Sequence, residues 1–128
     1  MTDIEEKLLK TIIDCEISLY TCSYAPPKAV VSTGNLAKLL NCSKYKARKG
    51  LKELLAAGYI EYTSQGQPAI ESNTENGYEL ISEAGPPING YALTESGFQT
   101  KQFKEALKRF DEATEKWANS CMEENRIL

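Results

Sequence analysis

Ser43-Lys-Tyr-Lys-Ala-Arg-Lys-Gly-Leu-Lys-Glu-Leu-Leu-Ala-Ala-Gly58 is the stretch on which the reading of this chain turns. Ser43 is a helix-capping residue, and Gly58 offers the left-handed position at which helices end. Between them, at about 100° per residue, Ala47, Leu51, Leu54 and, less centrally, Gly50 and Leu55 share one face. Tyr45, Lys49 and Lys52 point the opposite way, with Lys46 and Arg48 on the flanks. The spacing predicts an amphipathic helix over 43–57 whose outer surface is cationic and carries one aromatic.

Charge along the rest of the chain sets this helix apart. The 128 residues hold 15 Lys and Arg against 18 Asp and Glu, a net charge of −3. Residues 1–37 net −2 and residues 101–128 net zero, whereas residues 38–52 contain six cations (Lys38, Lys44, Lys46, Arg48, Lys49, Lys52) and no acid. Residues 53–100 then carry seven glutamates and neither Lys nor Arg. A local block of this kind is an electrostatic footprint, and it bears on partners more directly than the total does.

Working outward, Asp3 to Tyr20 reads as a helix with Ile4, Leu8, Leu9, Ile12, Ile13, Ile17 and Tyr20 at helical spacing, capped by Thr2 or Asp3. Tyr24-Ala-Pro-Pro-Lys28 is a loop, because Pro26 and Pro27 stop helix propagation. Ala29-Val30-Val31 is a short β-prone run. Ser32 or Thr33 caps a short helix with Leu36, Ala37, Leu39 and Leu40 as its apolar positions. After Gly58, Tyr59 to Thr63 reads as a strand, Ser64 to Asn76 as a polar insertion, and Tyr78 to Glu83 as a second strand. Gly85-Pro-Pro-Ile-Asn-Gly90 reads as a turn with an Asn-Gly hairpin signal, closed by Tyr91 to Thr94. From Thr94 one long helix is expected to about Glu124. Phe103, Phe110 and Trp117 recur every seven residues with Ala106, Ala113 and Ser120 between them, and Leu107 and Cys121 widen the stripe.

Composition excludes several classes. The chain has no histidine, which removes His-based catalysis, His metal ligation and His pH switching together. Cys15, Cys22, Cys42 and Cys121 form no Cys-x-x-Cys pair and suit neither a metal cluster nor a disulfide framework, so no metal or cofactor is expected. They read as buried or half-buried thiols of a reducing cytoplasm, with a redox-sensing role for Cys22 or Cys121 as the minor alternative. No apolar run approaches the length of a membrane span, and the first residues are acidic where a signal peptide is basic. No phosphate-binding loop, nucleophile elbow or dinucleotide fingerprint is present, so an enzyme is not expected.

Three stretches carry a family likeness: Leu36-Ala-Lys-Leu-Leu-Asn-Cys-Ser43, Leu51-Lys-Glu-Leu-Leu-Ala-Ala-Gly58-Tyr-Ile60 and Tyr91-Ala-Leu-Thr-Glu-Ser-Gly97. In this order the sequence resembles the winged helix-turn-helix fold of MarR- and PadR-like bacterial transcriptional regulators. The resemblance implies an α+β, mainly helical fold. A winged domain would span residues 1–97, with a recognition helix at about 43–57 and a wing hairpin at about 78–94. A C-terminal dimerisation helix would span 98–128. It further implies that Ser43, Lys44, Tyr45, Lys46, Arg48, Lys49 and Lys52 meet double-stranded DNA, Arg or Lys pairing with guanine and the remaining cations with phosphate. Phe103, Ala106, Leu107, Phe110, Ala113 and Trp117 would form the seam of a homodimer, and the whole would act as a cytoplasmic repressor.

The sequence departs from that pattern at the wing, where family members place a basic residue and this chain has none. Two readings follow: a DNA binder relying on its recognition helix, or a winged-helix domain that docks an acidic protein. A small-molecule effector between the hairpin and the C-terminal helix is compatible with the first.

Overall fold

A computed structural model describes residues 1–21, 28–67, 70–74, 77–82 and 85–127. Of the loop expected at 24–28, residues 24–27 lie outside them, as does Cys22. The described chain is mainly helical, with short antiparallel strands. Its order is α1 (Asp3–Ser18), a 3-10 turn (Leu19–Thr21), α2 (Thr33–Leu39), α3 (Lys44–Ala56), β1 (Ile60–Gln67), β2 (Ile70–Thr74), β3 (Gly77–Ser82), β4 (Gly85–Leu93), α4 (Glu95–Phe98) and α5 (Lys101–Ile127). No helix among the described residues is long and apolar enough to cross a membrane.

The caps explain where the helices begin. Thr2 and Glu5 form a reciprocal capping box at the start of α1, and the hydroxyl that Thr2 offers holds the Glu5 carboxyl below its usual range. Ser32 accepts from the Asn35 N–H, and Ser43 accepts from the Lys46 N–H, both at 3.2 Å. Between α2 and α3 the chain turns tightly through Asn41, which adopts the left-handed conformation (φ 51°) that asparagine tolerates better than most residues.

The core gathers around α1. Leu8, Leu9, Ile12 and Ile13 are fully buried and meet Leu36 of α2 and Ala47, Leu51 and Leu54 of α3 in one cluster, with Ile60, Leu93, Phe103 and Ala106. Gly50 sits in the middle of α3 because a Cβ there would lie 2.5 Å from Leu8 Cδ1. Leu39 is 62% exposed rather than an apolar contact of α2. It stands about 100° round the helix from Leu40, off the face that Leu36, Ala37 and Leu40 share.

The strand region corrects three expectations. Residues 64–67 and 70–74, read as a polar insertion, are strand. Gly85 to Gly90, read as a turn, is the first part of β4. The hairpin expected at 78–94 does not pair with itself. Instead β4 pairs antiparallel with β1 (Ile60 opposite Leu93, Tyr62 opposite Tyr91, Ser64 opposite Asn89), and β3 pairs with β2 (Asn73 opposite Tyr78). Two residues of sequence separate β1 from β2 and β3 from β4, and the two ladders are separate two-stranded sheets. A two-stranded ladder covers neither face fully, which removes the alternation that marks a half-buried strand. Pro86 and Pro87 fall where the β1–β4 register shifts, between Gln65 and Gln67, an irregularity at which a strand accommodates residues without an N–H.

Gly90 serves a close approach. The short run before α2 makes one isolated antiparallel bridge to β4 through Val31, whose N–H and C=O exchange 2.9 Å bonds with Tyr91, and a Cβ on Gly90 would sit 2.4 Å from the Val31 carbonyl oxygen.

The helix expected to run unbroken from Thr94 is two helices. Thr94 caps α4, its hydroxyl accepting from the Gly97 N–H at 3.2 Å and donating to the Gly58 carbonyl at the end of α3. Gly97 packs under the Tyr59 carbonyl. The chain then breaks at Gln99–Thr100, and Thr100 accepts from the Phe103 N–H to start α5.

Replacing Gly90 by Ala should cost about 1–3 kcal/mol, because the new methyl meets backbone rather than a side chain that can yield. Gly66→Ala, with open space around it, should stay within about 0.5 kcal/mol. Urea unfolding midpoints of the two variants check both statements.

Candidate nucleic-acid interface

Helix α3 is held by its inner face. Ala47, Gly50, Leu51 and Leu54 are buried, as the spacing predicts, and α1 lies across them. The opposite face is open. Ser43, Lys44, Tyr45, Lys46, Arg48, Lys49 and Lys52 are all exposed, Tyr45 to 75%. Every residue singled out for this helix is thus exposed. Among the described residues, ion pairs are recorded for Lys28 with Glu61 at 2.9 Å and for Lys101 with Glu105 at 3.7 Å, and for none of these five cations.

Two grooves flank the basic face, and their chemistry differs. One, of about 450 Å³, lies between the start of α1 and α3 and is bordered by Asp3, Glu5 and Glu53 as well as Lys46 and Lys49. The other, of about 500 Å³, lies between α2 and α3 and is bordered by Gly34, Asn35, Lys38, Asn41 and Lys44, with Ala37 and Cys42 completing the wall. Two lysines and no acidic residue line it. Lys38 belongs to the six-cation block, yet its place in a wall of this groove depends on the turn at Asn41, which spacing within a single helix does not reveal.

The residues expected to form a dimer seam divide into two groups. Phe103 and Ala106 are buried, and Leu107 and Phe110 are half-buried, all four in or against this chain's own core. Tyr20, just past α1, meets Phe110 edge-on with ring centroids 6.0 Å apart. Ala113 and Trp117 lie on a part of α5 where every residue from 111 to 120 is exposed, Trp117 to 69%. The seven-residue repeat therefore begins as the cover of α1 and continues where α1 has ended.

Cys15, Cys42 and Cys121 are free and half-buried, and burial pushes the Cys15 thiol up, with Asp14 adding to the effect. Glu16 is a buried carboxylate that accepts the Ala29 N–H at 2.7 Å, an anchor for the segment leading to Val31.

Ser43→Ala should lower stability by about 1 kcal/mol through loss of the α3 cap. Lys49→Ala, at an exposed and unpaired position, should change it by less than about 0.5 kcal/mol. Thermal unfolding of the two variants measures the difference. Compared with models of known families, with curated proteins and with solved structures, the chain matches none.

Proposed function

We propose that this protein is a winged helix-turn-helix regulator of transcription that binds double-stranded DNA through α3. The observation that carries the reading is the outer face of that helix, where Lys44, Lys46, Arg48, Lys49 and Lys52 stand exposed around Tyr45 without an ion-pair partner among the described residues. An α-helix fits the major groove, where Arg or Lys reads guanine O6 and N7 and other cations meet phosphate. In this reading α2 and α3 are the helix-turn-helix and the β1–β4 ladder with the β2–β3 ladder is the wing. Without a cation between residues 53 and 100, that wing adds no charged phosphate contact, so recognition rests on α3.

The protein acts as a cytoplasmic homodimer, a repressor that binds and does not catalyse. Two copies of α3 enter major grooves about 34 Å apart on a two-fold symmetric operator. The seam consists of what the monomer leaves open on α5, Ala113 and Trp117 with the exposed edge of Phe110. Phe103 and Ala106 are already buried within each chain. The acidic wing favours a second reading, in which the same basic face docks an acidic protein and duplex DNA is not bound.

Titration into duplex DNA at two salt concentrations separates these readings. The first predicts a loss of about 0.9 log units of affinity per log unit of salt for each phosphate neutralised. Lys49→Glu with Lys52→Glu should abolish binding without unfolding the domain; an unaltered affinity refutes the DNA reading. Trp117→Glu should convert a dimer into a folded monomer in sedimentation, and a wild-type chain that sediments as a monomer refutes the seam.

A further inference from the structure

The two grooves beside α3 are unequal, and the difference says on which side a polyanion can lie. Against the α1 side stand Asp3, Glu5 and Glu53, which repel phosphate and oppose the attraction of Lys46 and Lys49. Against the α2 side stand Lys38 and Lys44 with the amides of Asn35 and Asn41 and no acid. Ammonium and amide groups together are the donors that a phosphodiester accepts from. Lys38 and Lys44 belong to different helices, and the left-handed turn at Asn41 brings them to one groove.

Gly34 makes this wall open. A Cβ built there has no neighbour closer than Lys44 Cε at 3.9 Å, so packing does not require the glycine. Glycine is also a poor choice inside a seven-residue helix, since it weakens the helix relative to alanine. What its absence of side chain does provide is room beside Lys44 and Lys38.

We infer that the groove between α2 and α3 seats a backbone phosphate of the DNA, held by Lys38 and Lys44 with Asn35 and Asn41, and that Gly34 keeps it clear. This rests on the DNA-binding reading of α3 and adds to it a contact outside that helix's outer face. The groove positions the protein on the duplex and reads no base, so its loss weakens all sequences alike.

Gly34→Glu tests the inference with little risk to the fold. The space is free, glutamate favours helix more than glycine does, and a carboxylate suits the first turn of a helix. In the full-length protein this variant should keep or raise the unfolding midpoint while losing at least about tenfold in affinity for every duplex tried. Gly34→Ala should bind within about twofold of wild type, since a methyl carries no charge. Lys38→Ala should lose roughly tenfold, with a salt slope smaller by about 0.9. If wild type binds duplex DNA and both Gly34→Glu and Lys38→Ala bind equally well, the groove is empty in the complex and the inference fails alone. A Lys38→Ala variant that changes the preference between sequences also overturns it, by making the groove a reader of bases. If wild type binds no duplex at low salt, the DNA reading itself has failed.

Discussion

Everything on the outer side of this molecule is placed by the contact of α1 with α3 at Gly50. A residue with a side chain at that point would meet Leu8, and the two helices would have to stand further apart. With glycine there, Leu8 and Ile4 approach the α3 backbone, Leu51 and Leu54 sink into the cluster around Ile12 and Ile13, and the rotation of α3 about its axis is fixed. Rotation is the property that matters for this helix. The same apolar stripe that is pulled inward decides that Tyr45, Arg48, Lys49 and Lys52 face outward. The other side of α1 receives Phe103 and Ala106, so a single helix orients both the basic surface and the root of α5.

Holding that surface has an internal cost. Lys44 and Arg48, Arg48 and Lys52, Lys46 and Lys49, and Lys49 and Lys52 are neighbours three or four residues apart, and each such like-charged pair destabilises a helix by about 0.2–0.5 kcal/mol. No acid falls among them before Glu53. The helix tolerates this because its inner face is fully packed and its start is capped by Ser43. Packing supplies the stability that the exposed face gives up.

Legibility in the sequence followed the strength of burial. Helix α3 and its orientation could be read because one face is buried and the other charged, and the caps at Thr2, Ser32 and Ser43 are local hydrogen bonds that short motifs encode. The hairpin resisted reading for the opposite reason. Ser64 to Gly66 and Gly85 to Asn89 lie on paired strands with side chains largely in solvent, so no pattern of hydrophobicity marks them. Asn89-Gly90 looked like a turn, yet Gly90 answers to a carbonyl fifty-nine positions earlier in the chain, at Val31. The heptad of α5 was visible, but a period of seven does not say which partner covers it. Phe103 turned to α1 and Trp117 did not. The groove beside Lys38 was out of reach because two helices and a turn must be assembled before it exists.

The length of α5 also sets how the molecule moves in solution. Its 27 residues extend about 40 Å, and the stretch beyond Phe110 leaves the core behind. A body with such a shaft does not tumble as a sphere: it turns faster about the shaft than end over end. Amide groups of α5, whose N–H vectors lie along that axis, and those of α2 and α3 would then report different apparent correlation times within one rigid molecule.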